Sequence, residues 1–324
     1  MAVVVLAGPA CSSSTETPGP GTGASSPEPA GTPTTAVVGE LAPLPLARTE
    51  VAGAFWDGKV VVAGGLTLDG GASDRVDLYL PGADRWEPGV ALPVALHHLG
   101  LAVLGERLYA VGGYTNPPGR DWQVRADVWS LGPGERAWRA EVAMSRPRGA
   151  QGTAVAGGRL VVAGGVTGGL TGTSESWAPG EPAWRPGPDL AQAREHLGMA
   201  SLGGRAYAIG GRLGGFDSNL RTVESWAPGE AAWRAEPMLA DTRGGTAATE
   251  VAGRLCVAGG EETQGTIASV ECLVPAQGRW ERLAPLAQPR HGLAVVGVGP
   301  NVHFIGGGPQ PGLFVSTAHE VQAG

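Results

Sequence analysis

The chain has 324 residues, of which 55 are glycine and 27 are proline, and its formal net charge is −7. This acidic balance, without any basic block, argues against nucleic acid as a partner. The sequence contains no phosphate-binding loop, zinc-protease motif, paired Cys-x2-Cys or nucleophile elbow, and it therefore predicts no cofactor.

Two segments precede the regular part of the chain. Residues 1–11 form an apolar run that ends at Cys11, and this run resembles the end of a bacterial lipoprotein signal. Residues 12–35 consist almost entirely of Ser, Thr, Pro, Gly, Ala and Glu, a composition that predicts a disordered linker. The resemblance implies an extracytoplasmic protein, either secreted or held at a membrane only through a lipid on Cys11. An ordinary disordered N terminus is the alternative.

The rest of the chain repeats with a period near fifty residues. Each copy has two apolar runs of strand length separated by a short turn, the second of which ends in a double glycine. A third run then carries an acid, and in five copies a fourth carries a tryptophan. The first glycines of the pairs are Gly64, Gly112, Gly164, Gly210, Gly259 and Gly306. The acids are Asp77, Asp127, Glu175, Glu224, Glu271 and Glu320. The tryptophans are Trp86, Trp138, Trp184, Trp233 and Trp280. This pattern predicts four-stranded antiparallel units that bury their apolar faces against one another.

This pattern resembles the kelch repeat of the galactose oxidase-like superfamily, over residues 36–324. The resemblance implies an all-β, six-bladed propeller with four-stranded antiparallel blades. The blades are predicted at about 48–92, 96–144, 148–190, 194–239, 243–286 and 290–322. The last copy lacks its tryptophan strand, and the chain after residue 40 aligns with the end of the fifth copy. Residues 36–41 are therefore predicted to supply the outer strand of the sixth blade and to close the ring.

One rim of the predicted ring carries the candidate binding residues. Sixteen residues before the glycine pairs, five of six copies have an arginine, which either supports the blades or forms an anion-binding ring. These arginines are Arg48, Arg148, Arg194, Arg243 and Arg290. The next two positions depart from the repeat and bring polar groups to the same rim. They include His97, His98, Glu195, His196 and His291.

Imidazoles gathered at one end of the innermost strands suit a metal site made by His98, His196 and His291. Solvated rim residues or hydrogen-bonded core histidines are the alternatives. Because neighbours in a strand point to opposite faces, we expect His97 and His98 to face opposite ways.

Aromatic groups and cysteines complete the set of candidates. Trp122 and Phe216 lie in the two notable loops between second and third strands, where aromatic rings suit sugars or peptides. A lid packed over its own blade is the alternative for Trp122. Cys256 and Cys272 are expected to face each other on neighbouring strands, either as a disulfide or as two small core residues.

These observations favour a non-catalytic, extracytoplasmic and monomeric binding module that recognises a protein or glycan at one rim. An envelope scaffold has the same sequence features. The alternative is an enzyme that resembles sialic-acid mutarotases, with Glu195 and His196 in acid–base work and arginines holding a carboxylate. A copper oxidase of the galactose oxidase type is disfavoured because three of the four tyrosines occupy repeated strand positions.

Overall fold

The computed structural model describes residues 39–116 and 121–324. The signal-like segment 1–11 with Cys11, and the linker 12–35, lie outside these residues. The described strands in chain order are β1 (Gly39–Glu40), β2 (Ala52–Trp56), β3 (Lys59–Ala63), β4 (Val76–Leu80), β5 (Arg85–Pro88), β6 (Gly100–Leu104), β7 (Arg107–Val111), β8 (Tyr114–Thr115), β9 (Gln123–Val124), β10 (Val128–Leu131), β11 (Arg139–Ala140), β12 (Gly152–Ala156), β13 (Arg159–Ala163), β14 (Ser174–Trp177), β15 (Arg185–Pro186), β16 (Gly198–Leu202), β17 (Arg205–Ile209), β18 (Val223–Trp226), β19 (Arg234–Glu236), β20 (Ala247–Val251), β21 (Arg254–Ala258), β22 (Glu261–Glu262), β23 (Gly265–Thr266), β24 (Val270–Val274), β25 (Arg279–Arg282), β26 (Ala294–Val298), β27 (Asn301–Ile305) and β28 (His319–Ala323).

The strands form six four-stranded antiparallel blades, as the repeat predicted. Blades 1, 3 and 4 are β2–β5, β12–β15 and β16–β19. Blade 2 is β6, β7, β10 and β11, and blade 5 is β20, β21, β24 and β25. The two remaining pairs, β8–β9 and β22–β23, are small hairpins beyond the glycine pairs, and one 3-10 turn spans Pro275–Gln277. No helix in the described part of the chain is long and apolar enough to cross a membrane.

The sixth blade closes the ring as predicted. It consists of β26, β27 and β28 together with β1, whose Gly39 and Glu40 pair with Val321 and Glu320. The closing strand is therefore found at the end of the predicted range 36–41. The innermost strands β2, β6, β12, β16, β20 and β26 contact one another in a cycle that returns to β2.

The core lies between the blades. Six clusters of buried apolar side chains occur, one for each pair of neighbouring blades. Near the channel the blades converge, and small residues are required there. A Cβ added to Gly53 of β2 would lie only 2.6 Å from the Cβ of Ala294 on β26. The apolar face of each blade is thus buried by the next blade, which explains why one repeat cannot fold alone.

Each repeated arginine holds its own blade together. In the five blades that have it, the buried guanidinium donates Nη1–H to the carbonyl of the first glycine of the pair, at 2.7–3.1 Å. Its Nη2 pairs with the acid of the third strand. In blade 2 the position is Leu96, and Asp127 turns to Arg125 instead. This geometry supports the structural alternative for the arginines predicted as rim candidates, Arg148, Arg194, Arg243 and Arg290.

Each repeated tryptophan links its blade to the preceding one. The indole N–H of Trp86 donates to the carbonyl of Ala42 at 2.8 Å, and that of Trp280 donates to Pro237 at 2.7 Å. The other three tryptophans make the equivalent bond. Buried indoles need such a partner for their N–H group, and the repeat supplies it from the neighbouring blade.

The two core cysteines face each other in blade 5. Cys256 on β21 is the register partner of Cys272 on β24, and the two side chains are joined as a disulfide. Both are fully buried, in the cluster between blades 5 and 6. The register expected from the sequence is the one observed.

Candidate functional site

A ring of left-handed residues surrounds one end of the channel. The residue fourteen positions before each glycine pair has a positive φ in all six blades. These residues are Glu50, His98, Ala150, His196, Gly245 and Gly292, with φ between 52° and 69°. In five of them the backbone N–H donates to the carbonyl of the equivalent residue in the preceding blade, at 2.8–3.1 Å. We call these six residues the left-handed ring.

Three members of the ring carry polar side chains in a backbone conformation that favours glycine. A non-glycine residue pays about 1–2 kcal/mol to adopt it. The side chains of Glu50, His98 and His196 nevertheless occupy these positions, and they gather at the mouth of the channel. A polar group held at a strained backbone position is a frequent feature of functional sites.

Glu50, His98 and His196 of the ring line the floor of a cavity of about 330 Å³, which we call the mouth pocket. Its floor consists of Glu50, His98, His196, Arg212, Glu261 and His291. Its wall is formed by Leu66, Trp122, Phe216 and Leu313, all from loops between second and third strands. Below the floor, the three polar ring residues also line a channel cavity of about 120 Å³.

One side of the floor is a chain of charged groups. The Nδ1–H of His196 donates to Oε2 of Glu195 at 2.7 Å, and Nε–H of Arg212 donates to Oε1 of the same carboxylate at 2.8 Å. Arg212 also donates Nη1–H to Glu261 at 2.7 Å. Burial raises the pKa of Glu195, but the hydrogen bonds and charges of His196 and Arg212 outweigh it and hold that pKa at about 2. Glu195 is therefore ionised throughout the physiological range.

The other side of the floor is centred on Glu50. Its Oε2 lies 3.2 Å from Nε2 of His98, and its Oε1 accepts a hydrogen bond from Nδ1 of His291 at 3.0 Å. The Nε2 atoms of His98 and His196 are 2.8 Å apart.

Burial and neighbouring charges set the ionisation of this side. Burial acts to raise the pKa of Glu50, but the imidazoles of His98 and His291 keep it well below its ordinary value. Burial lowers the pKa of His98 well below its ordinary value. Burial would also lower the pKa of His291, yet the carboxylates of Glu50 and Glu261 raise it. The floor therefore combines an ionised Glu50 with a neutral His98.

Several predicted site residues meet in this pocket. His98, His196, His291, Trp122 and Phe216 all line it, and Glu195 lies directly behind His196. Trp122 has its ring 5.4 Å from that of His98 and is half-exposed, so it covers the floor and also faces solvent. Phe216 lies under the guanidinium of Arg212 at 4.8 Å.

His97 does not line the pocket. It is fully buried, with its ring stacked against Tyr114, and its Nδ1 lies 2.5 Å from Nδ1 of His98. The expectation that the two neighbours face opposite ways was wrong. Strict alternation holds for extended backbone, whereas His98 has a φ of 52° and precedes β6, which begins at Gly100.

The sequence analysis missed Glu50, Arg212 and Glu261. A signal for them exists in the repeat. Glu50 occupies the same repeat position as His98 and His196, and Arg212 and Glu261 each follow a glycine pair directly. The residue after the glycine pair forms a β-bridge with the residue fifteen positions before the pair, as Glu195 does with Arg212. Both positions vary between blades, and their pairing places the variable residues side by side.

Comparisons with known proteins give partial matches. No family model matches the chain. It is 30% identical over 103 residues to Kelch-like protein 40 of Homo sapiens, covering 31% of this chain and 16% of that protein. It is 28% identical over 125 residues to Kelch-like protein 35 of Mus musculus, covering 39% and 20%. The chain thus matches one fifth or less of the length of these curated relatives.

A solved structure titled "Structure of YjhT" is similar in fold. It superposes with a TM-score of 0.73 at 16% identity, over 86% of this chain and 95% of that one. At this identity the likeness concerns the fold alone. This chain is therefore a six-bladed β-propeller whose sequence is similar, over part of its length, to kelch-like proteins.

Proposed function

We propose that the chain is a non-catalytic binding module that recognises a protein or a glycan at the rim around the mouth pocket. The distribution of exposed apolar side chains carries this proposal. Ten large apolar side chains are exposed in the described residues, and seven of them lie in the loops of this rim. They are Leu68, Trp122, Leu170, Leu213, Phe216, Leu313 and Phe314. We call these seven residues the apolar collar.

An apolar collar around a polar pocket suits a partner that inserts one group. Contiguous exposed apolar surface marks interaction sites on soluble proteins. The mouth pocket, at about 330 Å³, is at the small end of ligand sites. It has room for one sugar ring or one side chain, while the rest of the partner rests on the collar. Aromatic walls over a hydrogen-bonding floor fit both kinds of group.

The proposed setting is extracytoplasmic, with the chain acting as a monomer. The lipoprotein-like segment before Cys11 supports export, and the Cys256–Cys272 disulfide supports an oxidising compartment. Any membrane attachment would then run through a lipid on Cys11. Metabolic labelling with palmitate tests this, because incorporation should vanish in Cys11→Ser and a label that persists would contradict lipidation.

The binding proposal is tested by removing aromatic groups from the collar. Trp122→Ala and Phe216→Ala are compared with Phe55→Ala, whose side chain is similarly exposed but lies on β2 outside the rim loops. A glycan array and photo-crosslinking to envelope proteins first identify a ligand for the natural chain. We expect either collar variant to lower the affinity for that ligand by about 30-fold or more, as for a central aromatic contact worth about 2 kcal/mol. Phe55→Ala should leave the affinity unchanged. Equal binding by all three variants would refute the rim as the site.

A mutarotase-like enzyme is the second candidate, and one observation favours it. Glu195 accepts a hydrogen bond from Nδ1 of His196, so the lone pair of His196 is on Nε2, which lines the pocket beside Nε2 of His98 and can accept a proton there. The second requirement of such an enzyme, arginines that hold the substrate carboxylate, has less support. The rim arginines are buried inside their blades, and Arg212 is already bonded to Glu195 and Glu261. Anomer interconversion of sialic acid, followed by NMR, decides between the two. Acceleration that is lost in His196→Ala would favour the enzyme.

A further inference from the structure

Three potential ligand atoms from three different blades converge at the floor of the mouth pocket. They are Oε2 of Glu50 in blade 1, Nε2 of His98 in blade 2 and Nε2 of His196 in blade 4, and all lie within 4.8 Å of one another. The shared left-handed conformation of these three residues aims their side chains at one point. Two imidazoles and one carboxylate are a donor set that Zn²⁺ and similar ions favour, with a fourth position left open.

Contacts behind the two imidazoles orient the Nε2 atom of each toward the centre. Glu195 can only accept, so Nδ1 of His196 carries the proton and Nε2 presents a lone pair. Nδ1 of His98 contacts Nδ1 of the fully buried His97 at 2.5 Å. In the tautomer in which His98 donates this bond to His97, the Nε2 lone pair of His98 faces that of His196 at 2.8 Å. Two such lone pairs repel each other unless a cation lies between them.

The charges around Glu50 also call for a cation. Glu195 and Glu261 are both bonded to Arg212. Glu50 is 9% exposed, and within the described residues its carboxylate contacts only the imidazoles of His98 and His291. The floor thus holds three carboxylates against one guanidinium and at most one imidazolium, at His291, so negative charge is in excess. A buried charge without compensation is costly, and a bound dication would neutralise this excess.

A second group of ligand atoms exists but is occupied by internal bonds. Glu50, Glu261 and His291 also lie within 4.8 Å. Glu261, however, accepts from Arg212 and from the backbone N–H of Gly312 at 3.0 Å. Nδ1 of His291 is shared between Glu50 at 3.0 Å and Glu261 at 3.5 Å, so it carries a proton. His291, expected from the sequence as a ligand, therefore orients Glu50 instead.

We infer that Glu50, His98 and His196 bind one divalent transition-metal ion of the Zn²⁺ class, at the point where the mouth pocket meets the channel. Glu195 and His97 are positioning residues, since they orient the two imidazoles, as the outer partners of metal-bound histidines do. The fourth coordination position faces the mouth pocket, where a water or a ligand oxygen would complete the site. This inference goes beyond the binding module and does not depend on the identity of its partner.

The test is metal binding by the full chain after removal of metal with EDTA. Zn²⁺ affinity is measured by competition with a chromogenic chelator, and Co²⁺ is added to record the visible spectrum of the bound ion. We expect one equivalent per chain and a Co²⁺ spectrum of low coordination number. His196→Gly and His98→Gly should each lower the Zn²⁺ affinity by about 100-fold or more, and Glu195→Gln should lower it by about 10–100-fold.

The glycine variants suit this experiment because glycine fits the left-handed backbone, so loss of binding is separated from loss of folding. Circular dichroism confirms the fold. Glu87→Gln, on the outer strand β5 and outside the mouth pocket, is the matched control, and we expect its affinity to stay within about threefold, as for a surface substitution far from the site. Substoichiometric Zn²⁺, or unchanged affinity in His196→Gly, would overturn the site and indicate a shared proton between the imidazoles. Equal loss in Glu87→Gln would show that the loss is not specific to the site and would overturn the ligand set. Leu68→Ala removes an exposed collar side chain that does not line the mouth pocket and should leave Zn²⁺ binding unchanged, so the metal site and the rim proposal fail independently.

Discussion

The buried arginine of each blade predicts a measurable cost when it is removed. In blade 5, Arg243 is fully buried and donates Nη1–H to the carbonyls of Gly259 and Ser269, both at 3.0 Å. Its Nη2 pairs with Glu271 at 2.6 Å. Glu271 in turn accepts the backbone N–H of Ala240, in the connection from blade 4, at 2.7 Å. Arg243→Leu removes the guanidinium and leaves the carboxylate buried.

The expected loss follows from that orphaned charge. Breaking a buried ion pair by removing one partner costs about 3–5 kcal/mol. At about 2 °C per kcal/mol for a domain of this size, Tm should fall by about 6–10 °C. The double variant Arg243→Leu/Glu271→Leu removes both charges and should recover part of the loss, because no unpaired ion remains. Blade 2 is a natural precedent, since Leu96 stands at the arginine position and Asp127 pairs with Arg125 at a more exposed site.

The assay is thermal and urea unfolding of the natural chain and both variants, with the disulfide intact. The free energy of unfolding of Arg243→Leu should lie below that of the double variant. A single variant as stable as the natural chain would refute the structural role of the clamp. A double variant less stable than the single one would show that the hydrogen bond from Ala240 to Glu271 outweighs the cost of the unpaired charge.

Two further predictions concern the left-handed ring and pH. Ala150 has a φ of 54°, so Ala150→Gly should stabilise the fold by up to about 1 kcal/mol, and Gly245→Ala, at 69°, should destabilise it by a similar amount in urea titrations. Equal stability in both would contradict strain at the ring. Burial lowers the pKa of His303 and of His319 to about 4. The unfolded chain therefore binds more protons between pH 6.5 and pH 4, and stability should fall as the pH is lowered through this window. His319→Gln should flatten that fall in Tm, and an unchanged slope would refute the assignment.

The fold could be predicted from the sequence because the same pattern of strands and turns occurs in six copies. A strand that is ambiguous in one copy, such as β27 before Gly306, is identified from the equivalent strands of the other five copies. The facing cysteines followed from the same register, since Cys256 and Cys272 flank one loop symmetrically. The closing strand was predictable because the last copy lacked its fourth strand, and Gly39 and Glu40 supply it.

The candidate site was predictable only in part. Its histidines stood out because they break the repeat, but Glu50 was overlooked since its partner His291 is 241 residues away and meets it only when the ring closes. The backbone of the ring was also hidden. Only two of its six members are glycine, Gly245 and Gly292, so the usual sign of a positive φ is missing in four blades. The alternation rule then gave the wrong orientation for His97.

The backbone conformation of the left-handed ring supports the proposal that its polar members serve a function. Every blade adopts the same conformation at this position, and the backbone hydrogen bonds around the ring need no side chain. Glycine would therefore satisfy the fold in all six blades without the cost of about 1–2 kcal/mol per residue that other side chains pay. Glu50, His98 and His196 adopt this unfavourable conformation, and their ionisable groups meet at a single point instead of pointing into solvent. Buried arginines and interblade tryptophans supply stability that offsets this conformational cost. The polar floor of the mouth pocket is thus a feature that the scaffold tolerates rather than requires, and the meeting of its three ionisable groups supports the proposed binding site.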